Sequence, residues 1–327
     1  MKFNKIKFYE MKELILFIGL SLACFIYTYH AFDFFDIGLY DETMYLAAGR
    51  ELWSIIPSAE NAPLYAIWYW ILSFYESNNV HLYFLNYALL SAILPIFFYF
   101  ALRTIGTDGV LSLIIAFALL VSHANLPMWP KVSHFALLIL LLGIIVSGNF
   151  CEEGLTRLMT LAAAAFIASY ARPEFFLGFL LIWIIVIIGF LRSDYTAGLK
   201  KKTLFRIGLL SGIFILVLHL TGNPMFSGGR SILAFGQHFS LHYVAWTGDS
   251  RSPWTNWEEI LSNSFGNPTS IFSAAINNPK LFIKHVAENI SQTMPNLIFL
   301  IKPYSGNIKY IYAGFTIVSL FITINFF

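Results

Sequence analysis

Long apolar runs recur along the 327-residue chain, and mostly short polar or charged segments separate them. A transmembrane helix needs roughly 20 predominantly apolar residues. Runs that approach this length lie at residues 14 to 31, 82 to 102, 109 to 124, 134 to 149, 155 to 171, 175 to 191, 204 to 221 and 310 to 327. The pattern predicts an all-α fold: a polytopic bundle of about seven or eight transmembrane helices, in one membrane-embedded domain over residues 1 to 327.

The run from Pro63 to Tyr75 is shorter than the others and rich in Trp and Tyr, which is typical of a helix that lies in the membrane interface. If it does not span and the N-terminus is cytoplasmic, then Arg103, Arg157 and the basic residues between 192 and 206 all become cytoplasmic, as the positive-inside rule requires. We therefore predict external segments at residues 32 to 81, 125 to 133 and 222 to 309, with interfacial helices in the first.

Composition agrees with a membrane protein and narrows its partners. Hydrophobic residues make up 58% of the chain and charged residues 12%, so much of the apolar surface needs lipid as its solvent. The formal charge of +2 is spread between helices, which makes nucleic acid an unexpected partner. Cys24 and Cys151 support neither a disulfide framework nor a zinc site. The chain also lacks a Walker phosphate loop, a dinucleotide fingerprint and a nucleophile elbow.

The segment from Asp41 to Trp53 has apolar residues at helical spacing and predicts a short amphipathic helix at the membrane surface. Asp41 and Glu42 would begin this helix, where the helix dipole favours negative charge. One interpretation is a capped interfacial helix and nothing more. The other is catalytic, because a carboxylate at the outer surface can take a proton from an acceptor hydroxyl while a lipid-linked phosphate leaves.

Several features of this segment occur together: Asp41-Glu42-Thr43, Tyr45, Arg50-Glu51 and then a Pro63-containing aromatic helix. In this combination it resembles the first external loop of the GT-C glycosyltransferases, particularly the lipid-linked aminoarabinose transferases and the protein O-mannosyltransferases. The resemblance implies a first span, an external loop with interfacial helices and then a polytopic bundle. It also implies an inverting enzyme with a polyprenyl-phosphate sugar donor and Asp41 as the catalytic base, with Glu42 as the second candidate.

The chain departs from the GT-C pattern at two places. Ala62 stands where the aminoarabinose enzymes have a lysine before the proline. In the next external segment, where many relatives have a second acid, the chain reads Pro130-Lys131-Val132-Ser133-His134. Without that acid we predict no cofactor and no bound metal, and a divalent ion stays an open alternative.

Candidate ligands for the donor phosphate come from three segments. Arg172 lies in Arg172-Pro173-Glu174, a motif similar to one in many GT-C-like sequences, and the alternative is that it pairs only with Glu174. Lys131 is a second candidate. The alternative is that its side chain only extends to the membrane surface. The third group is Arg230, His238 and His242. The two histidines have the spacing of metal ligands on a helix but no evident third ligand, and loop hydrogen bonding explains them equally well.

The sequence thus predicts a membrane glycosyltransferase that moves a hexosyl or pentosyl group from a polyprenyl phosphate to a glycan, lipid or protein acceptor. The expected location is the cytoplasmic membrane, with the N-terminus inside and the active site on the outer face. One alternative is a non-catalytic membrane protein that binds a lipid carrier or transports it. Another is a surface-polysaccharide polymerase or ligase that relies on loop Arg and His residues.

Overall fold

A computed structural model of the chain describes residues 11–29, 41–54, 56–128, 130–151, 154–193, 197–225 and 229–304. Within these ranges the structure is helical and has no strand, which confirms the all-α prediction. The helices are α1 (Met11–Tyr29), α2 (Asp41–Arg50), α3 (Pro63–Leu72), α4 (Asn79–Thr104), α5 (Gly109–Leu120), α6 (Val132–Phe150), α7 (Gly154–Ser169), α8 (Phe175–Leu191), α9 (Ala197–Thr221), α10 (Arg230–Thr247), α11 (Trp257–Phe265), α12 (Ile271–Asn277) and α13 (Pro279–Ile301).

The helix boundaries follow the apolar runs of the sequence. Each run between residues 14 and 221 falls on one helix, and the run at 310 to 327 lies outside the described residues. Three helices are long and apolar enough to cross a membrane: Asn79–Thr104, Val132–Phe150 and Gly198–Thr221. Helices α1, α3, α5, α7 and α8 are apolar but shorter. Local signals set several starts, since Asn78 and Asp108 cap α4 and α5 and Pro63 occupies the first turn of α3.

The chain forms two compact units. Unit 1 comprises Met1–Pro224 and Ile301–Phe327, and unit 2 comprises Met225–Leu300. In unit 1, α4 packs against α1, α5 and α6, and the series continues from α6 to α7 and from α7 to α8. In unit 2, α10 packs against α11 and α12 around a core of aromatic side chains. The segment that the sequence assigns to one long external loop, residues 222 to 309, contains unit 2.

Several basic side chains lie at one end of unit 1. Arg103 at the end of α4 binds Glu13 of α1 through two nitrogens, at 2.5 and 3.0 Å. Arg157 donates to the carbonyl of Cys151 at 2.9 Å, and Arg206 donates to the hydroxyl of Thr156 at 3.2 Å. These contacts join the start of α1 to the end of α4, the start of α7 to the end of α6, and the first half of α9 to the start of α7. The opposite ends of the same helices therefore meet at the other end of the unit.

Helices α8 and α9 present large apolar side chains to the outside of unit 1. Leu181, Ile184, Ile215 and Leu220 are between 51% and 72% exposed. Such exposed surface is costly in water and costs nothing against hydrocarbon tails. The outer faces of these helices are therefore suited to lipid.

Close contact between α6 and α7 depends on Gly143. A Cβ added at this position would lie 2.5 Å from the Cβ of Ala164, well inside normal contact distance. We predict that Gly143→Ala lowers the free energy of unfolding by about 1–3 kcal/mol, because the two helices must separate. Unfolding titrations in mixed detergent micelles would measure this change.

Gly178 in α8 provides the matched control, because an added Cβ there meets nothing within 4 Å. Gly178→Ala should leave stability unchanged or raise it slightly, since alanine favours the helix. Equal effects of the two substitutions would contradict the predicted packing at Gly143.

Candidate functional site

Helix α2 begins with two carboxyl groups that have opposite environments. Asp41 is exposed, whereas Glu42 is only 2% exposed. Glu42 heads the face of α2 that also carries Tyr45, Leu46 and Gly49, and all of these residues are buried. The amphipathic face that the sequence assigns to the membrane surface is therefore covered by protein, chiefly by α3.

The Glu42 carboxylate is held by groups from three other segments of the chain. The hydroxyls of Tyr65 and Tyr69 donate to its Oε1 at 2.6 and 2.5 Å, and the Asn86 amide donates to the same oxygen at 2.8 Å. The backbone N–H of Lys131 donates to Oε2 at 2.7 Å. We call these five residues the Glu42 network. A buried carboxylate is tolerated only when such donors replace its hydration, and here both oxygens are satisfied.

The orientation of Asn86 is itself fixed by a further bond. The indole Nε1 of Trp68 donates to its Oδ1 at 2.7 Å, which leaves the amide nitrogen to face Glu42. The same nitrogen lies 2.7 and 2.9 Å from the hydroxyls of Tyr65 and Tyr69. Every polar group in the network therefore has a defined role as donor or acceptor, which makes the arrangement rigid.

Burial dominates the protonation of the network. It raises the pKa of Glu42, although hydrogen bonds from Tyr65, Tyr69 and the Lys131 backbone and the charge of the Lys131 side chain act in the opposite direction. Burial lowers the pKa of Lys131 to about 7, against the attraction of Glu42. Desolvation thus shifts the pKa of each group in the direction that favours its neutral form.

The side chain of Lys131 points into the protein and is 2% exposed. Its ammonium donates to the carbonyl of Asn125 and lies 4.6 Å from the centre of the Tyr87 ring. Lys131 therefore stabilises the turn that connects α5 to α6. This position differs from both sequence interpretations, since the side chain neither extends to the membrane surface nor faces outward towards a phosphate.

His134 follows Lys131 by one turn of α6 and is also buried. Within the part of the chain that the structure describes, neither of its ring nitrogens has a hydrogen-bond partner. The side-chain oxygen of Asn125 is also buried and, among the described residues, has no hydrogen-bond partner. Ordered water is the usual partner of such groups.

Arg172 lies in the turn between α7 and α8 and remains half-buried. Its Nε is 3.8 Å from Glu174 Oε2, a long contact between side chains that are 33% and 71% exposed. Helix α8 begins at Phe175, so Pro173 and Glu174 directly precede it. The backbone N–H of Leu64 donates to the carbonyl of Tyr170 at 3.2 Å, which ties this turn to α3 and hence to the Glu42 network.

Arg50 has a structural position at the end of α2. Its guanidinium donates to the side chain of Asn79 at 2.9 Å and to the carbonyls of Glu76 and Ser77 at 2.9 and 2.6 Å. It therefore fixes the last turn of α2 to the connection between α3 and α4. Glu42 and Arg50 together attach both ends of this short helix.

The other sequence candidates lie in unit 2, on α10. Arg230 is its first residue, and His238 and His242 follow one turn apart. The Nδ1 of His242 lies 2.9 Å from Nδ1 of His285 on α13, and Nε2 of His285 lies 3.1 Å from the amide nitrogen of Asn289. Among the described residues, no group of three or more His, Cys, Asp or Glu side chains is arranged to hold a metal ion.

Sequence reasoning missed four residues of these arrangements. Tyr65 and Tyr69 are four residues apart on α3, so one helical face carries both, and Asn86 is a polar residue inside an apolar run. These two signals are visible in the sequence. No local signal connects His285 with His242, because 43 residues separate them.

Comparison of the chain with protein-family models, curated proteins and solved structures finds no match.

The Glu42 network can be tested by removing one donor. We predict that Tyr69→Phe lowers the free energy of unfolding by about 1–3 kcal/mol, because a buried carboxylate oxygen loses a bond. The matched control is Tyr75→Phe, since Tyr75 is 81% exposed. Denaturation of both variants in the same detergent would measure the difference, and equal stability of the two would refute the role given to Tyr69.

The histidine pair predicts a pH dependence of stability. Burial, together with the smaller effects of the neighbouring His242 and His238, lowers the pKa of His285 from 6.5 to about 4. Because the unfolded chain then takes up the proton first, this contribution to stability is complete above about pH 6.5 and disappears as the pH falls towards 4. The thermal unfolding midpoint should therefore fall as the pH is lowered from about 6.5 to about 4.

His285→Gln should flatten this pH dependence, whereas His219→Gln, at an exposed position on α9, should preserve it. An unchanged pH profile in His285→Gln would show that other groups control the transition.

Proposed function

We propose that this chain is a GT-C-like membrane glycosyltransferase. It would transfer a sugar from a polyprenyl-phosphate donor to an acceptor at the outer face of the cytoplasmic membrane, with inversion at the anomeric carbon. The observation that carries the proposal is the contrast between adjacent carboxyl groups: Asp41 is exposed at the first turn of α2, and Glu42 is fixed in the interior.

Asp41 is the proposed general base. It would accept the proton of an acceptor hydroxyl while the hydroxyl oxygen bonds to the anomeric carbon. The bond from that carbon to the phosphate oxygen breaks at the same time, and the phosphate leaves with the electron pair. This step requires a carboxylate that both the acceptor and the donor can reach, and the exposure of Asp41 meets that requirement.

Glu42 is assigned a positioning role. Its two oxygens accept four hydrogen bonds and the side chain is closed to solvent, so it is poorly placed to receive a substrate proton. Since consecutive residues on a helix point about 100° apart, anchoring Glu42 turns Asp41 away from the core. The network would thus hold the proposed base in one orientation.

Arg172 is the preferred ligand for the donor phosphate. Its guanidinium is partly exposed, and the 3.8 Å contact with Glu174 is too long to saturate its five donors. A cation there would stabilise the negative charge that grows on the leaving oxygen. Arg230, His238 and His242 are weaker candidates on unit 2, and Lys131 would act indirectly through the Glu42 network.

The proposed orientation has the N-terminus in the cytoplasm and seven or eight spans. In it α1, α5, α7 and α8 cross together with α4, α6 and α9, and α3 lies in the interface. The geometry supports this orientation, because Arg103, Arg157 and Arg206 gather at one end of unit 1 and the Glu42 network lies at the opposite helix ends.

Sugar transfer by membranes that contain Asp41→Asn, Glu42→Gln or Glu51→Gln tests the proposal, with a panel of radiolabelled polyprenyl-phosphate sugars. We predict that Asp41→Asn lowers the rate by about 10²–10⁴-fold while donor binding persists. Glu51 is an exposed acid just beyond α2, so Glu51→Gln is the matched control and should retain activity. Glu42→Gln should lower activity together with stability.

Transfer that survives Asp41→Asn but depends on Arg230, His238 or His242 would instead indicate a polymerase or ligase. One observation favours a non-catalytic carrier-binding protein as the second candidate: the Glu42 network is closed, as a purely structural cluster would be. Binding of the donor by wild type without transfer to any acceptor would support that candidate.

A further inference from the structure

Helix α13 has an apolar stripe on its outer side. Ile283, Ile290, Met294 and Ile301 are between 62% and 68% exposed, and Val286, Leu297 and Ile298 belong to the same face. Their positions follow the spacing of three and four residues that places side chains along one side of a helix. The stripe runs nearly the full length of the helix and continues beyond Pro295.

Only the N-terminal part of α13 contacts the core of unit 2, through Leu281, Phe282 and His285. His285 is buried against Phe235 and Phe239, at ring distances of 5.4 and 5.8 Å. Asn289, Gln292 and Asn296 follow on the side of the helix opposite the stripe, and all three are exposed. Beyond His285 the helix therefore exposes both an apolar side and a polar side.

Charged residues border the stripe in the pattern of an interfacial helix. Lys280 and Lys284 are exposed beside its N-terminal half, and Lys302 follows its last residue. Glu288 is the only acidic residue between Pro279 and Lys302. The resulting positive rim complements anionic lipid headgroups, and lysine stems extend readily to that level.

The residues that follow α13 are attached to the bundle. The N–H of His123 donates to the carbonyl of Lys302 at 2.9 Å, and the N–H of Tyr304 donates to the carbonyl of Val121 at 2.7 Å. Val121 directly follows the apolar helix α5, and His123 lies two residues further along the chain.

We propose that the apolar stripe of α13 lies in the interfacial layer of the bilayer, parallel to its surface, with the lysines at the level of anionic headgroups. Although α13 has 23 residues, it carries Lys280, Lys284, Glu288 and several amide side chains, and it is not among the three described helices that are apolar enough to cross. The occupant of the stripe is lipid, and this inference is independent of the proposed sugar transfer.

Site-directed spin labels on the full chain test the orientation, in vesicles of phosphatidylcholine and phosphatidylglycerol. The native Cys24 and Cys151 are replaced by alanine, and single labels are placed at Ile290→Cys on the stripe and Gln292→Cys on the polar side, about 200° away. We expect the label at position 290 to show several-fold higher accessibility to oxygen, relative to a water-soluble nickel reagent, than the label at position 292.

A second pair, Met294→Cys and Asn296→Cys, repeats the comparison if the first pair inserts poorly. High nickel accessibility at both positions of a pair would place α13 in water and overturn the proposal. Protection of the stripe label from both reagents would mean that protein covers it, either a second copy of the chain or the segment after residue 304, and would equally overturn it. Spin–spin broadening would identify the second copy.

Discussion

The Glu42 carboxylate is the group on which the arrangement of unit 1 depends most. A carboxylate loses its hydration when it is buried, and only close donors in good geometry compensate for that loss. Its donors come from α3, from α4 and from the residue before α6, so satisfying one side chain requires three other segments to adopt one relative position. The packing of the aromatic residues around the network, such as Tyr45 against Tyr65 at 5.4 Å, then follows the same arrangement.

This constraint gives Asp41 its environment. Asp41 lies about 100° from Glu42 around α2, outside the face that Glu42, Tyr45, Leu46 and Gly49 bury, so the burial of Glu42 and the attachment of Arg50 at the other end of α2 leave Asp41 outward. The chemistry that we propose for Asp41 therefore relies on a group that takes no part in the reaction. Lys131 belongs to the same system, because its backbone binds Glu42 while its ammonium holds the turn before α6.

Unit 2 also contains polar side chains packed among apolar ones. Its core contains aromatic rings and the His242–His285 pair, and the apolar side of α13 faces outward. In both units, a buried titratable group with defined partners orients the residues beside it.

The sequence by itself determined the all-α fold, the helices α1 and α3 to α9, and the positions of Asp41 and Glu42 at the start of α2. Apolar runs, caps and prolines act over a few residues, so these features need no knowledge of distant contacts. Only the tertiary structure decided that Glu42 is buried and Asp41 exposed, that Lys131 faces inward, and that His285 joins His242. The partners in these contacts are separated by 23 to 89 residues, and burial of a polar group is settled by which distant donors reach it.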